Sequence, residues 1–149
     1  MHTNDAPGAI ARLLDMGVEG YLISSCLLGV LAQRLVRVIC PACRETYAPS
    51  ERELGLLAEA QMLPGGVAAL SRGMGCGECG GTGYMGRTGI FELMPVTDRV
   101  RELTVERQGA AALKGAALSE GMVELRADGW DKVVSGVTTV EEIERVTLR

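Results

Sequence analysis

Aromatic side chains are scarce in this sequence: Phe91, Trp130, Tyr21, Tyr47 and Tyr84 are the only five among 149 residues. Any core must therefore be aliphatic, and a surface that stacks on nucleobases is hard to build. An excess of positive charge is also missing. The formal net charge is −4, which argues against a nucleic-acid-binding face, normally a concentration of Lys and Arg. Long apolar runs are absent too. The most apolar stretch, Tyr21 to Ala32, holds roughly a dozen residues, against the roughly 20 that span a bilayer. No basic segment followed by an apolar run and a cleavage site marks the N-terminus for secretion, so a cytoplasmic protein with reduced thiols is expected.

What is present is ample apolar content, 47% of residues, enough for one ordinary domain or two small lobes. Helix signals dominate. Asn4 or Asp5 can cap a first helix, with Pro7 in its first turn and Gly17 as its left-handed stop. A longer second helix is expected from about Glu19 to Val36, with Leu22, Ile23, Cys26, Leu27, Val30 and Leu35 apolar on more than one face. Cys26 reads as a small core residue of that helix. Arg34 and Arg37 then fall near its end, where they suit the dipole. A short strand, "VRVI", leads to Cys40. Ser50 and Glu53 form a capping box for a helix to about Ala60, which "LPGG" follows. "RTGIFELM" reads as a strand with Ile90 and Phe91 buried and Glu92 available for an interface ion pair. Further helices are expected after Thr97, over Ala110 to Leu118, from Met122 to about Val134, and after Thr139 and Glu142.

The most informative pattern is in the cysteines. Cys40 and Cys43 form one CxxC, Cys76 and Cys79 a second, and 32 residues separate the pairs. Two tight turns of this kind can present four thiolates to Zn²⁺ as a tetrahedron, with about 2.3 Å per bond. Gly77, Gly80, Gly81 and Gly83 allow the backbone to turn N–H groups toward sulfur. Redox chemistry, disulfides and unrelated buried thiols are the alternatives. Four cysteine ligands leave no open position, so a bound metal would be structural. Arg87, just after the second pair, is placed to offset the charge of such a centre.

Taken in order, "HTNDAPGAIARLLDMGVEGYLISSCLLGVLAQRLVR", "CPAC", "CGECGGTGYMGRTGIFELM" and "GMVELRADGWDKVVSGVTTVEEIERVT" closely resemble the C-terminal part of the type II secretion and type IV pilus assembly ATPases. The resemblance covers essentially the whole chain. The four cysteines favour a secretion or assembly motor, because the related retraction ATPases lack the metal insert. The implied fold is α+β and predominantly helical. Residues 1–39 would end a RecA-like P-loop ATPase core, 40–83 form a zinc-binding insert, and 84–149 give a strand and a C-terminal helical lobe.

The same resemblance implies a cytoplasmic homohexamer, peripheral to the inner membrane, that hydrolyses ATP with Mg²⁺. It would work on inner-membrane platform and cytoplasmic-domain proteins of a secretion or pilus machine. His2, Thr3 and Asn4 match the end of the family's histidine box, which makes His2 the γ-phosphate sensor of the full-length motor. The sequence departs from the family in having no GxxxxGK[ST] loop and no Walker B motif, so ATP and Mg²⁺ belong to a full-length parent and this chain alone is expected to be inactive. Helices carrying Leu13, Leu14, Leu22 and Leu27 are then expected to present an apolar face. An alternative of another class is a DnaJ-type cysteine-rich chaperone module, because "CGECGGTG" fits its CxxCxGxG repeat, although "CPACRETY" lacks the glycines.

Overall fold

The side chain of Asp5 accepts a hydrogen bond from the Gly8 N–H at 2.9 Å, and Pro7 occupies the first turn, so the first helix begins where its caps predict. A computed structural model describes residues 5–60 and 69–147. The elements in chain order are α1 (Ala6–Asp15), α2 (Gly20–Cys26), β1 (Gly29–Ile39), a 3₁₀ turn (Pro41–Cys43), β2 (Arg44–Tyr47), α3 (Glu51–Glu59), β3 (Leu70–Gly73), β4 (Tyr84–Pro95), α4 (Asp98–Val105), α5 (Ala110–Ser119), α6 (Leu125–Val134) and α7 (Val140–Thr147). The architecture is α+β. Among the described residues there are two small sheets, β1 with β4 and β2 with β3. "LPGG", His2, Thr3 and Asn4 lie outside the described residues.

The chain divides into two compact units, each made from two separate segments: 1–33 with 91–125, and 34–90 with 126–149. In the first, α1 packs on α5 and α2 on α4. Ile10, Leu14, Ile23, Met94, Val100 and Leu113 form the aliphatic centre of its core. Gly20 opens α2 hard against α4: a Cβ there would stand 2.6 Å from the Thr104 carbonyl oxygen, so the two helices approach closely only because that position has no side chain. Thr97 caps α4 by accepting from the Val100 N–H at 3.3 Å.

The long second helix is not formed. α2 stops at Cys26 and the chain is extended from Gly29 to Ile39. Val30 and Ala32 face the core of the first unit while Leu31 and Gln33 are exposed, the period of two that a strand imposes. Three further readings change with it. Cys26 is exposed rather than in the core. Arg34 and Arg37 sit on β1, not at a helix end. Leu14 is buried and Leu13 and Leu27 are partly buried, so of the four leucines expected on an apolar surface only Leu22 is largely exposed; Leu28, Leu31 and Leu93 take that place.

On β4, Ile90 is buried but Phe91 points outward. Glu92, its neighbour, is 2% exposed and turned into the fold rather than toward a surface. Its carboxylate accepts from the Ala6 N–H at 2.7 Å and the Leu125 N–H at 3.0 Å. Ala6 and Leu125 are the first residues of α1 and α6, so one buried anion satisfies a free donor at each of two helix starts.

In the second unit β2 and β3 run antiparallel, from Arg44 opposite Gly73 to Tyr47 opposite Leu70. The capping box forms as predicted: the Ser50 N–H donates to Glu53 and the Glu53 N–H to Ser50 Oγ. Val36, Ile39, Leu57, Ile90, Trp130 and Ile143 are buried here. Thr139 accepts from the Glu142 N–H at the start of α7. Glu142 itself does not cap. Its carboxylate is fully buried and takes two guanidinium bonds from Arg37 at 2.9 and 2.8 Å, two from Arg145 at 2.9 and 2.5 Å, and the Arg37 backbone N–H at 2.9 Å. Burial alone would raise its pKa, but Arg145 and Arg37 together hold it at about 2, below the ordinary 4.5.

Because the folded pKa is depressed, the stabilisation from Glu142 is complete above pH 4.5 and is lost as pH falls through about 2. Glu142→Gln should lower the unfolding free energy on the order of 2 kcal/mol at neutral pH. In urea titrations at a series of pH values, the gap between wild type and variant should close between pH 4.5 and 2. A gap independent of pH would contradict the assignment.

Candidate metal centre

Cys40 directly follows β1 and Cys43 ends the 3₁₀ turn that Pro41 begins, while Cys76 and Cys79 lie in the glycine-rich turn before β4. The two turns are tied to each other by their backbones. Cys40 N–H donates to the Gly83 carbonyl at 2.9 Å, and Met74 N–H donates to the Cys43 carbonyl at 3.0 Å. Each pair thus closes the other's turn.

Their sulfurs converge. Cys40 to Cys76 and Cys43 to Cys79 are each 3.9 Å, Cys76 to Cys79 is 3.8 Å, and all four Sγ atoms lie within 4.8 Å of one another. Four sulfurs about 2.3 Å from a common centre stand about 3.8 Å apart along the edges of a tetrahedron. The spacing suits a four-coordinate metal ion and is far beyond the S–S bond length of about 2.05 Å. Cys40 is buried and the other three are half-buried.

Backbone donors surround the sulfurs, and at Cys79 they favour the thiolate. Gly75 N–H donates to Cys43, and Cys76 and Gly83 N–H both donate to Cys79, each at 3.2 Å. The Cys76 N–H, backed by that of Gly83, draws the Cys79 thiol down to about 6. Burial pushes the Cys43 thiol up to about 11. Thr82 supports the turn from outside by donating to the Cys79 carbonyl at 2.7 Å.

Of the glycines singled out from the sequence, Gly83 has the clearest requirement. Its φ is +76°, and a Cβ would lie 2.5 Å from the Gly73 carbonyl oxygen. Gly73 faces it in turn, with a Cβ position 1.9 Å from the Gly83 oxygen. The end of β3 and the residue before β4, the two arms of the Cys76–Cys79 turn, cross there backbone to backbone. Gly77 needs no such freedom: its φ is not positive and its Cβ position is open.

The cluster was legible in the cysteine spacing, and Gly73, inside "SRGMG", was the unread signal of the backbone crossing. His2 lies outside the described residues, so the sensor assignment has no geometry here. Neither β3 nor the crossing of Gly73 with Gly83 was anticipated; a four-residue strand with one glycine carries too weak an alternation to stand out.

The sequence profile of the Type II/IV secretion system protein family matches residues 1–145, and the chain belongs to that family. It is 50% identical over 147 residues to type II secretion system protein E of Pseudomonas aeruginosa, covering 99% of this chain and 28% of that protein. Type II secretion system ATPase E of Vibrio cholerae is 46% identical over 147 residues, covering the same shares. Type IV pilus assembly ATPase PilB of Thermus thermophilus is 46% identical over 151 residues, with 99% of this chain and 16% of that protein covered. The chain therefore spans about a quarter or less of the length of these relatives. The DnaJ-type alternative gains nothing from either finding: two unlike turns, only one glycine-rich, build a single cluster.

Gly83→Ala should destabilise the crossing by about 1–2 kcal/mol from the left-handed backbone alone, with the carbonyl clash added. Gly77→Ala should be within about 0.5 kcal/mol of wild type. Chemical denaturation of the two variants side by side checks this; equal effects would contradict the crossing.

Proposed function

We propose that this chain supplies the metal-bearing C-terminal portion of a homohexameric ATPase that powers type II secretion or type IV pilus assembly. Family membership over residues 1–145 supports the motor, and the single observation that carries the role of this portion is the convergence of four thiols. Along the chain, 1–39 would complete the ATPase core, 40–83 form the metal insert, and 84–149 contribute the following strand and helical lobe. His2 would act as the γ-phosphate sensor in the full-length protein, where a P-loop and Walker B residues bind ATP and Mg²⁺.

Zinc is the ion that the donors suit. Four thiolates at tetrahedral spacing match its preference, and with no fifth ligand or open position it supplies cross-linking rather than chemistry. Cys40, Cys43, Cys76 and Cys79 would hold it, and the N–H groups of Gly75, Cys76 and Gly83 would share the negative charge on sulfur. The insert then acts as a rigid element through which the motor contacts platform and cytoplasmic-domain proteins at the inner membrane. Among the described residues no helix is long and apolar enough to cross a membrane, so that contact would be through partners. The exposed Leu28, Leu31 and Leu93 would be covered within the full-length motor.

Native mass spectrometry of the reduced, zinc-supplied chain should show one ion per chain, and Cys76→Ser should lose it. In the full-length protein the same substitution should reduce secretion or pilus assembly about tenfold or more, the loss typical of a disrupted metal site, while ATP hydrolysis per folded molecule changes far less. Equal losses with the fold intact would place the metal in the chemistry instead.

A further inference from the structure

An open depression of about 440 Å³ in the second unit is lined by Leu35, Arg37, Arg87 and Arg145. We propose that its three arginines form a binding site for a phosphoryl oxyanion, independent of the metal centre. The guanidiniums carry three positive charges, and the one carboxylate bonded to them, Glu142, carries one negative charge, which leaves a formal +2 facing the opening. A phosphoryl group at neutral pH carries about −1.5 to −2.

The carboxylate is placed so that it aims the arginines rather than filling the site. Glu142 is fully buried, whereas the side chains of Arg37 and Arg145 are 39% and 50% exposed. Arg37 and Arg145 each spend Nε and Nη2 on Glu142. Their Nη1 groups are not used in these bonds, so each fork keeps donors for a second acceptor. Arg37 is held further by stacking on the Tyr84 ring, with its guanidinium carbon 4.0 Å from the centroid. The Tyr84 hydroxyl is in turn fixed by Thr139 Oγ1 at 2.8 Å.

Two of the three guanidiniums are therefore ordered before a ligand arrives, which removes much of the entropy loss that weakens exposed arginine sites. Arg87 completes the set from β4. It is exposed, and among the described residues no carboxylate pairs with it. Leu35, 52% exposed, gives the depression one apolar wall. A planar carboxylate would satisfy two forks, but three donors with a net charge of +2 suit a tetrahedral dianion better.

Two sources of that group are separable in one experiment. The zinc-loaded chain, with its arginines labelled, is titrated at constant ionic strength with inorganic phosphate, then with pyrophosphate, while the arginine Nε–H resonances are followed. Sedimentation with vesicles containing phosphatidic acid, whose headgroup is a phosphomonoester, against phosphatidylcholine vesicles, tests a lipid headgroup. The expected result is a saturable shift confined to Arg37, Arg87 and Arg145, and affinity about fivefold weaker in Arg87→Ala, the size of effect an exposed charge pair gives. Saturation by free phosphate or pyrophosphate assigns a soluble phosphoryl ligand. Binding to the anionic vesicles alone, weakened in the same variant, assigns a headgroup. Shifts that stay linear and spread over all surface arginines, or equal affinity in Arg87→Ala and wild type, would overturn the site. Arg87 holds nothing in the fold, so the variant's thermal unfolding should match wild type, and loss of binding is then not loss of structure.

Discussion

Four sulfur atoms drawn to one point set the path of the chain through the second unit. For Cys40 and Cys43 to meet Cys76 and Cys79 at 3.8–3.9 Å, the end of β1 must lie beside the start of β4, and the chain between them must leave and return. β2 and β3 are the first turns of that excursion out and back, paired from Arg44 opposite Gly73. The backbone crossing at Gly73 and Gly83 follows, since the two arms of the Cys76–Cys79 turn approach too closely to leave room for a Cβ between them. A loop of this length is expensive to close by weak contacts alone, and a metal cross-link is most effective where the closed loop is long.

Two buried carboxylates solve the remaining polar problems, in opposite ways. Glu92 uses no cation; it accepts backbone donors at the starts of α1 and α6. Glu142 gathers two guanidiniums and a backbone donor. Neither can be exchanged for an apolar residue without leaving several buried or half-buried donors unpaired. Because Arg37 and Arg145 turn part of themselves outward, the same ion pairs that stabilise α7 also prepare the open basic depression.

The elements legible in the sequence were those with local chemistry: Asp5 before α1, Ser50 with Glu53 at α3, Thr97 at α4, and the paired cysteines. Each is a side chain acting on a backbone a few residues away, so spacing alone reveals it. Over Gly29 to Val36 the sequence reads as helix, and only "VRVI" as strand, for a physical reason. The outward positions of β1 include Leu31 and Leu35 and its inward ones Val30 and Ala32, so hydrophobicity does not alternate although burial does. Phe91 and Leu93 blur β4 in the same way. Pairings such as Arg37 with Glu142 join residues 105 apart, and no local pattern announces them.

The claim that the cysteines pin the second unit is tested most directly by hydrogen exchange of the zinc-loaded chain before and after chelation under reducing conditions. The amides of Gly75, Cys76 and Gly83, whose N–H groups point at sulfur, and those of Cys40 and Met74, which tie the two turns, should exchange at least about tenfold faster without metal. The amides of α1 and α5 in the first unit should change little. Unaltered exchange at the five amides after complete metal removal would contradict the central role given to the cluster.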